Sequence, residues 1–325
     1  MKTIDLVGIG NPLMDIIIKI EDDILVDLNL KKGIMNLVDE EQLQAIEKKL
    51  AKHDSKLVPG GSVANTLSGF AVLGGSAVYM GMAGTDSHGD VYEEKLEGGN
   101  VKSKISRETG RTGTVISLVS PDSERTFATF FGVCMNLRKD NVIEDDIKAA
   151  KYLYLDGYQM EDKQLRETSL HAIELAKKHG TLIAIDLADP ALVKRNREDI
   201  LNIIKSADVL FANEEEIQML TGKSPEKSLD ELDWIDTLIV KVGSKGSMAR
   251  HRGTKHSVKA KKVKAVDTMG AGDMYAAGIL YGMTHGMDIV SAMELASHVA
   301  ARIVETVGAR IEGGLDPKDI NMAVK

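Results

Sequence analysis

The sequence predicts an α/β fold, with a mostly parallel central sheet covered by helices on both faces and a small β-sheet standing off it as a lid. Three observations carry this. From about residue 56 onward, short β-rich runs alternate with helical patterns, as in strand–helix–strand units. The runs "AKYLYLDG", "TLIAIDLADP", "ADVLFANEEE" and "DTLIVKVGSKG" carry the apolar pattern of strands buried on both faces. The early runs have strand composition, but a helix does not follow each of them.

In chain order, "LMDIIIKI", "GIMNLV" and "GRTGTVISLVSPDSERTFATFFG" read as strands, with "PDSE" as a hairpin turn between two of them. They predict a mostly antiparallel lid sheet from about 11–38 and 103–131. "DKQLRETSLHAIELAKKHG" has helical spacing and stops at Gly180. Val263 to Val266 reads as the end of a strand, and "MYAAGILYGMTHG" as a helix. No fixed-period repeat or linker divides the chain, so one domain over 1–325 is expected.

Composition narrows the function. With 41 Lys+Arg against 49 Asp+Glu and a net charge of −8, nucleic-acid backbone binding is disfavoured and a small-molecule ligand favoured. One cysteine, Cys134, allows no internal disulfide framework. The start of the chain lacks a signal-peptide pattern and no 18-residue apolar span occurs, so a cytoplasmic protein with no membrane partner is expected.

The segment "DTMGAGDMYAAG", residues 267–278, brings Gly270, Ala271, Gly272 and Asp273 to a helix N-terminus. Such a position collects unpaired backbone amides, and small side chains let an anion approach them. On this turn alone Asp273 reads as a helix cap, or as a general base that takes a proton from an attacking hydroxyl. The stretch matches neither G-x-x-x-x-G-K-[ST] nor G-x-G-x-x-G.

Two long motifs about 200 residues apart choose between these readings. "DTMGAGDMYAAGIL" resembles the C-terminal signature of the ribokinase-like sugar and nucleoside kinases, the carbohydrate kinase B family, and "PGGSVANTLSGFAVLGG" resembles its N-terminal signature. "VGIGNPLMDIII" and "ERTFATFFGVCMNL" resemble the adenosine-kinase-like branch. The resemblance implies a ribokinase-like three-layer α/β/α domain with a β-sheet lid. It also implies ATP-dependent phosphorylation of a primary hydroxyl on a ribonucleoside or sugar. Asp273 would be the base and the Gly270–Gly272 backbone the anion hole.

For the acceptor the resemblance points to Asp15 and Asn11 near the first strand, and to Gly60, Gly61 and Asn65. Arg125 and Phe131 belong to the lid strands, where Phe127 and Phe130 are further candidates for stacking on a base. For ATP it points to Asn213, Lys241, Gly243, Gly246 and Thr268. Glu216 would position Mg²⁺ through water. A K⁺ ion is allowed at the turns around Asp267 and "ETVGAR", held mainly by backbone carbonyls. The apolar "MDIIIKI" run would suit a homodimer through the lid strands. Two alternatives stay open: a sugar or sugar-phosphate kinase (ribose, fructose or related), and a non-catalytic relative that binds nucleotide or sugar.

Overall fold

Strands form at β1 (Ile4–Ile9), β2 (Leu13–Lys19), β3 (Met35–Leu37), β4 (Ser55–Pro59), β5 (Ala77–Gly84), β6 (Val101–Glu108), β7 (Gly113–Val119), β8 (Arg125–Phe130), β9 (Ala150–Asp156), β10 (Leu182–Asp186), β11 (Val209–Asn213), β12 (Thr237–Lys241), β13 (Ser247–His251) and β14 (Thr254–Val258). The structure is a computed structural model and describes residues 2–122, 124–306 and 308–311. The large sheet runs β14-β13-β12-β11-β10-β9-β1-β5-β6. It is parallel from β6 to β12, and β13 and β14 close one edge as an antiparallel hairpin.

Both faces are buried. Leu153 and Leu155 of β9 join a core on one face with Leu165 and Ile173 of helix Lys163–Lys178. Tyr152 and Tyr154, one residue out of phase, join the core under helices Ser62–Val72, Ala271–Thr284 and Ile289–Val304. Three layers result, as the apolar strand runs predict. Among the described residues no helix is long and apolar enough to cross a membrane.

The small sheet runs β3-β8-β7-β2-β4 and differs from expectation in three ways. It is mixed rather than mostly antiparallel: β2–β7 and β3–β8 are parallel, β7–β8 and β2–β4 antiparallel. The chain runs through the large sheet between β2 and β7, and so long a crossover permits parallel pairing. Residues 103–108 belong to the large sheet instead, where β6 pairs with β5 from Ala77↔Val101 to Gly84↔Glu108. The polar "VKSKISRE" suits that sheet's exposed edge. The small sheet gains β4, whose "SKLVP" has the lysine and proline of an edge strand.

β7 and β8, on either side of "PDSE", pair antiparallel as expected, although Ser123 within it lies outside the described residues. "MDIIIKI", however, forms the strand between β7 and β4 rather than an open edge, so its backbone is already paired on both sides. Val263 to Val266 is not a strand either. Val263 and Val266 are exposed, and the Val266 N–H donates to Val304 O (2.7 Å), tying the segment to a helix end instead of a sheet.

Candidate active site

A reversal of strand order beside β1 places a crevice at the carboxyl ends of the parallel strands. Polar residues stand there: Asn11 just past β1, Asp156 ending β9, Asp186 ending β10, Asn213 ending β11 and Lys241 ending β12. The end of an otherwise apolar strand holds each of them rigidly while freeing its side chain for the crevice.

Helix Ala271–Thr284 aims its N-terminus into the same crevice. Its N-cap is Gly270, at φ 73°, a left-handed conformation that glycine adopts without strain. A Cβ there would also lie 2.7 Å from the Ala309 Cα. The Ala271 N–H donates to Thr268 O (3.3 Å) and the Met274 N–H to Gly270 O (2.8 Å).

Asp273, in the first turn, is gripped from the second signature motif. Ser62 Oγ donates to its Oδ1 (2.7 Å) and Asn65 Nδ2 to its Oδ2 (3.0 Å). Burial raises the Asp273 pKa, while these two donors hold it down. Ser62 therefore does not cap its own helix, whose N-cap is Gly61.

Asp273, Ser62 and Tyr158 line two cavities at once. One, of about 560 Å³, has an apolar wall of Leu13, Ile34, Met35, Val115, Phe127 and Phe131. Phe127, Thr129 and Phe131 all reach it, the two-residue period of a strand face. Its other wall carries Asn11, Asp156, Asp189 and Arg195, the last paired with Glu161. Asn11 Oδ1 and Asp156 Oδ1 are buried without a hydrogen-bond partner among the described residues. Burial, with help from nearby Asp273 and Asp186, pushes the Asp156 pKa up to about 7.

Asp15 stands on the same face of the small sheet, since its cross-strand partner Val115 and that residue's partner Thr129 both line the cavity. Burial lifts its pKa to about 7 against the pull of Arg310 and Arg125. Gly60 packs directly on the Asp15 carboxylate, leaving no room for a Cβ.

The second cavity, of about 450 Å³, is lined by the Gly270–Asp273 turn, Asp186, Asn213, Glu216, Lys241, Gly243 and Gly246. Lys241 Nζ bonds Asp186 Oδ2 (2.8 Å) and would stand 3.2 Å from a Cβ at Gly272, so the ammonium lies over the bare helix end. Burial works against its charge, but Asp186 and Glu216 outweigh it and raise the pKa. Asn213 and Glu216 form a capping box: the Asn213 N–H and Nδ2 donate to Glu216 (2.7 and 2.6 Å), and the Glu216 N–H donates back (2.8 Å). Burial raises the Glu216 pKa to about 7.

A third cavity, of about 620 Å³, continues from the second past Gly243, Gly246, Ala271 and Tyr275 to Thr268 and Lys261–Val263. Among the described residues no cluster of three or more His, Cys, Asp or Glu side chains is placed to hold a metal directly.

Two candidates point elsewhere. Arg125 turns from the first cavity to Asp267 (Nη2 to Oδ2, 2.6 Å). The Met269 and Gly308 N–H groups also donate to Asp267 (3.0 and 2.9 Å), so its carboxylate is fully engaged. Asn65 faces Asp273 rather than the cavity. Sequence reasoning missed Asp156, although an acidic residue ending the run "AKYLYLD" was a legible signal. It read Arg310 only as part of a turn, and nothing in "ETVGAR" announces the partners that residue finds.

A description of the pfkB family carbohydrate kinases matches residues 27–313. The 5-dehydro-2-deoxygluconokinase of Clostridium perfringens is 31% identical over 264 residues, covering 75% of this chain and 78% of that protein. Among solved structures, a probable sugar kinase from Rhizobium etli superposes with a TM-score of 0.92 at 27% identity over 100% of both chains. The adenosine kinase from Sinorhizobium meliloti follows at 0.88 and 28% over 97% of each. The ribokinase-like arrangement of a large, mostly parallel sheet and a second, smaller sheet is thus observed, and the chain belongs to the pfkB family of carbohydrate kinases, phosphotransferases that act on a hydroxyl group.

Proposed function

We propose that this kinase transfers the γ-phosphoryl group of ATP to a primary hydroxyl of a neutral, ribonucleoside-like acceptor. The observation that carries the reading is the two-sided 560 Å³ cavity, apolar along Leu13, Ile34, Met35, Val115, Phe127 and Phe131 and acidic along Asp156, Asp189 and Asp273. An apolar, partly aromatic wall suits a base. Three carboxylates, with Arg195 already paired to Glu161, disfavour an anionic acceptor such as a sugar acid or sugar phosphate. The 28% identity to the S. meliloti adenosine kinase supports the same reading.

Asp273 takes the acceptor's hydroxyl proton as that oxygen forms its bond to the γ-phosphorus. The bond from the γ-phosphorus to the β,γ-bridging oxygen breaks, and ADP leaves. The Gly270–Gly272 turn and Lys241 stabilise the charge spread over the phosphoryl oxygens. Gly243, Gly246 and Thr268 would hold the nucleotide along the second and third cavities. Mg²⁺ would be held through water by Glu216 and Asn213, oxygen groups that fit a hard cation, and supplies charge neutralisation when bound. With Asp267 engaged by Arg125, a K⁺ ion here would rest on backbone carbonyls. A dimer through the small sheet would use its edges, β3 or β4.

A second reading, a free sugar or sugar acid as acceptor, draws on the 31% identity to the C. perfringens 5-dehydro-2-deoxygluconokinase. ADP release with MgATP plus adenosine, D-ribose, D-fructose or 5-dehydro-2-deoxygluconate separates the two. The nucleoside reading expects the highest kcat/KM with adenosine, and preference for the sugar acid would overturn it. Asp273→Asn should lower kcat by about 10²–10⁴ with nucleotide binding kept.

A further inference from the structure

Of three consecutive residues after helix Ile289–Val304, two touch the turn that carries Asp273 and the third reaches the motif that grips it. The Gly308 N–H donates to Asp267 Oδ2 (2.9 Å). Ala309 packs against Gly270 so closely that a Cβ there would lie 2.7 Å from its Cα. Arg310 reaches the acceptor-side motif: Nε donates to Asn65 Oδ1 (3.0 Å), NH2 donates to Gly60 O (3.2 Å), and the guanidinium lies 5.7 Å from the Tyr92 ring centroid. The Tyr92 hydroxyl donates to that same Gly60 carbonyl (2.9 Å), so ring and guanidinium brace one another.

A guanidinium can only donate. Asn65 must therefore present Oδ1 to Arg310, which leaves Nδ2 to face Asp273 Oδ2 (3.0 Å). Without Arg310 the amide is free to turn over, and its oxygen would then confront the carboxylate. We propose that Arg310 is a positioning residue for phosphoryl transfer: by fixing the Asn65 amide through Nε, it holds the Asp273 carboxylate in the orientation that receives the acceptor's proton. The inference rests on Asp273 being the base.

The test is a double-mutant cycle over Arg310→Ala, Asn65→Ala and their combination, with Arg310→Lys, Arg310→Gln and Asp273→Asn alongside. ADP release is followed with MgATP and whichever of adenosine, D-ribose and D-fructose the wild type uses best. Arg310→Ala and Arg310→Gln should lower kcat about tenfold or more, as small misplacements of reacting groups do, with acceptor KM within about threefold. Arg310→Lys, which keeps a group that can only donate, should recover part of that loss, whereas the Gln amide can turn either way. In the Asn65→Ala background, Arg310→Ala should cost little more.

Equal losses in both backgrounds, or a rise in KM at unchanged kcat, would show Arg310 acting on the fold or on the acceptor and would overturn the inference. Unfolding midpoints identify any variant that is merely destabilised, and Arg310→Lys and Arg310→Gln then decide in place of the alanine. An Asp273→Asn enzyme that still turns over removes the base and this inference together. Loss of turnover there with an additive cycle removes the inference alone, and ADP release only with 5-dehydro-2-deoxygluconate removes the neutral-acceptor reading while the same cycle, run with that acceptor, still decides the inference.

Discussion

Asp156 and Asn11 each bury an oxygen that no described residue satisfies, an arrangement that costs stability unless a ligand supplies the donor. Asp156→Asn should therefore raise the unfolding midpoint of the ligand-free protein near pH 8 and raise acceptor KM more than it lowers kcat. An unchanged midpoint would mean the carboxylate has another partner. Asp15 and Asp156, each raised to about 7 by burial, also set a pH dependence. Their unfolded values lie near 4, so the native state holds protons that the unfolded chain has lost. Their contribution is complete below about pH 4 and is lost as pH rises through about 7. Denaturant titrations of the ligand-free protein at pH 5 and pH 8 should show the lower stability at pH 8, with a smaller difference in Asp156→Asn. At this scale the sequence was only partly legible. Asp273 and Lys241 sat in motifs, whereas the roles of Asp156 and Arg310 depend on neighbours far away in the chain.

Among the elements, helix Ala271–Thr284 is short of bulk because it is wedged between other helices. A Cβ at Gly278 would lie 2.5 Å from Ala296 Cα, and one at Gly282 2.5 Å from Ala292 Cβ. Gly278→Ala should therefore destabilise by about 1–3 kcal/mol, measured by denaturant unfolding, and tilt the helix end that carries Asp273. The small sheet is tied to the same turn by Arg125–Asp267, with side chains 19% and 6% exposed. Removing one partner of a buried pair costs about 3–5 kcal/mol. Arg125→Ala should thus loosen the lid and raise the rate of ADP release without acceptor, as water gains access; an unchanged rate would count against a closing role. Strands buried on both faces were legible because their apolar runs are continuous. β6 was misassigned because an edge strand of a large sheet has the same polar alternation as a lid strand.

At the scale of the whole molecule, the order of the strands explains why residues from opposite ends of the chain meet. The strand order reverses beside β1, so Asn11 and Asp156 flank the crevice while Lys241 and Asp273 arrive from the far half. Two motifs about 200 residues apart sufficed to foresee the architecture, but the acceptor depends on the shape between the two sheets, which no short motif encodes. Ser62 and Asn65, which hold Asp273, begin directly after the Gly60–Gly61 turn that backs Asp15. On the proposed reading, recognition and reactivity thus share one stretch of six residues, Gly60 to Asn65. A poorly fitting guest that displaces this stretch also slackens the grip on the proton acceptor, so selectivity should emerge in turnover more than in occupancy.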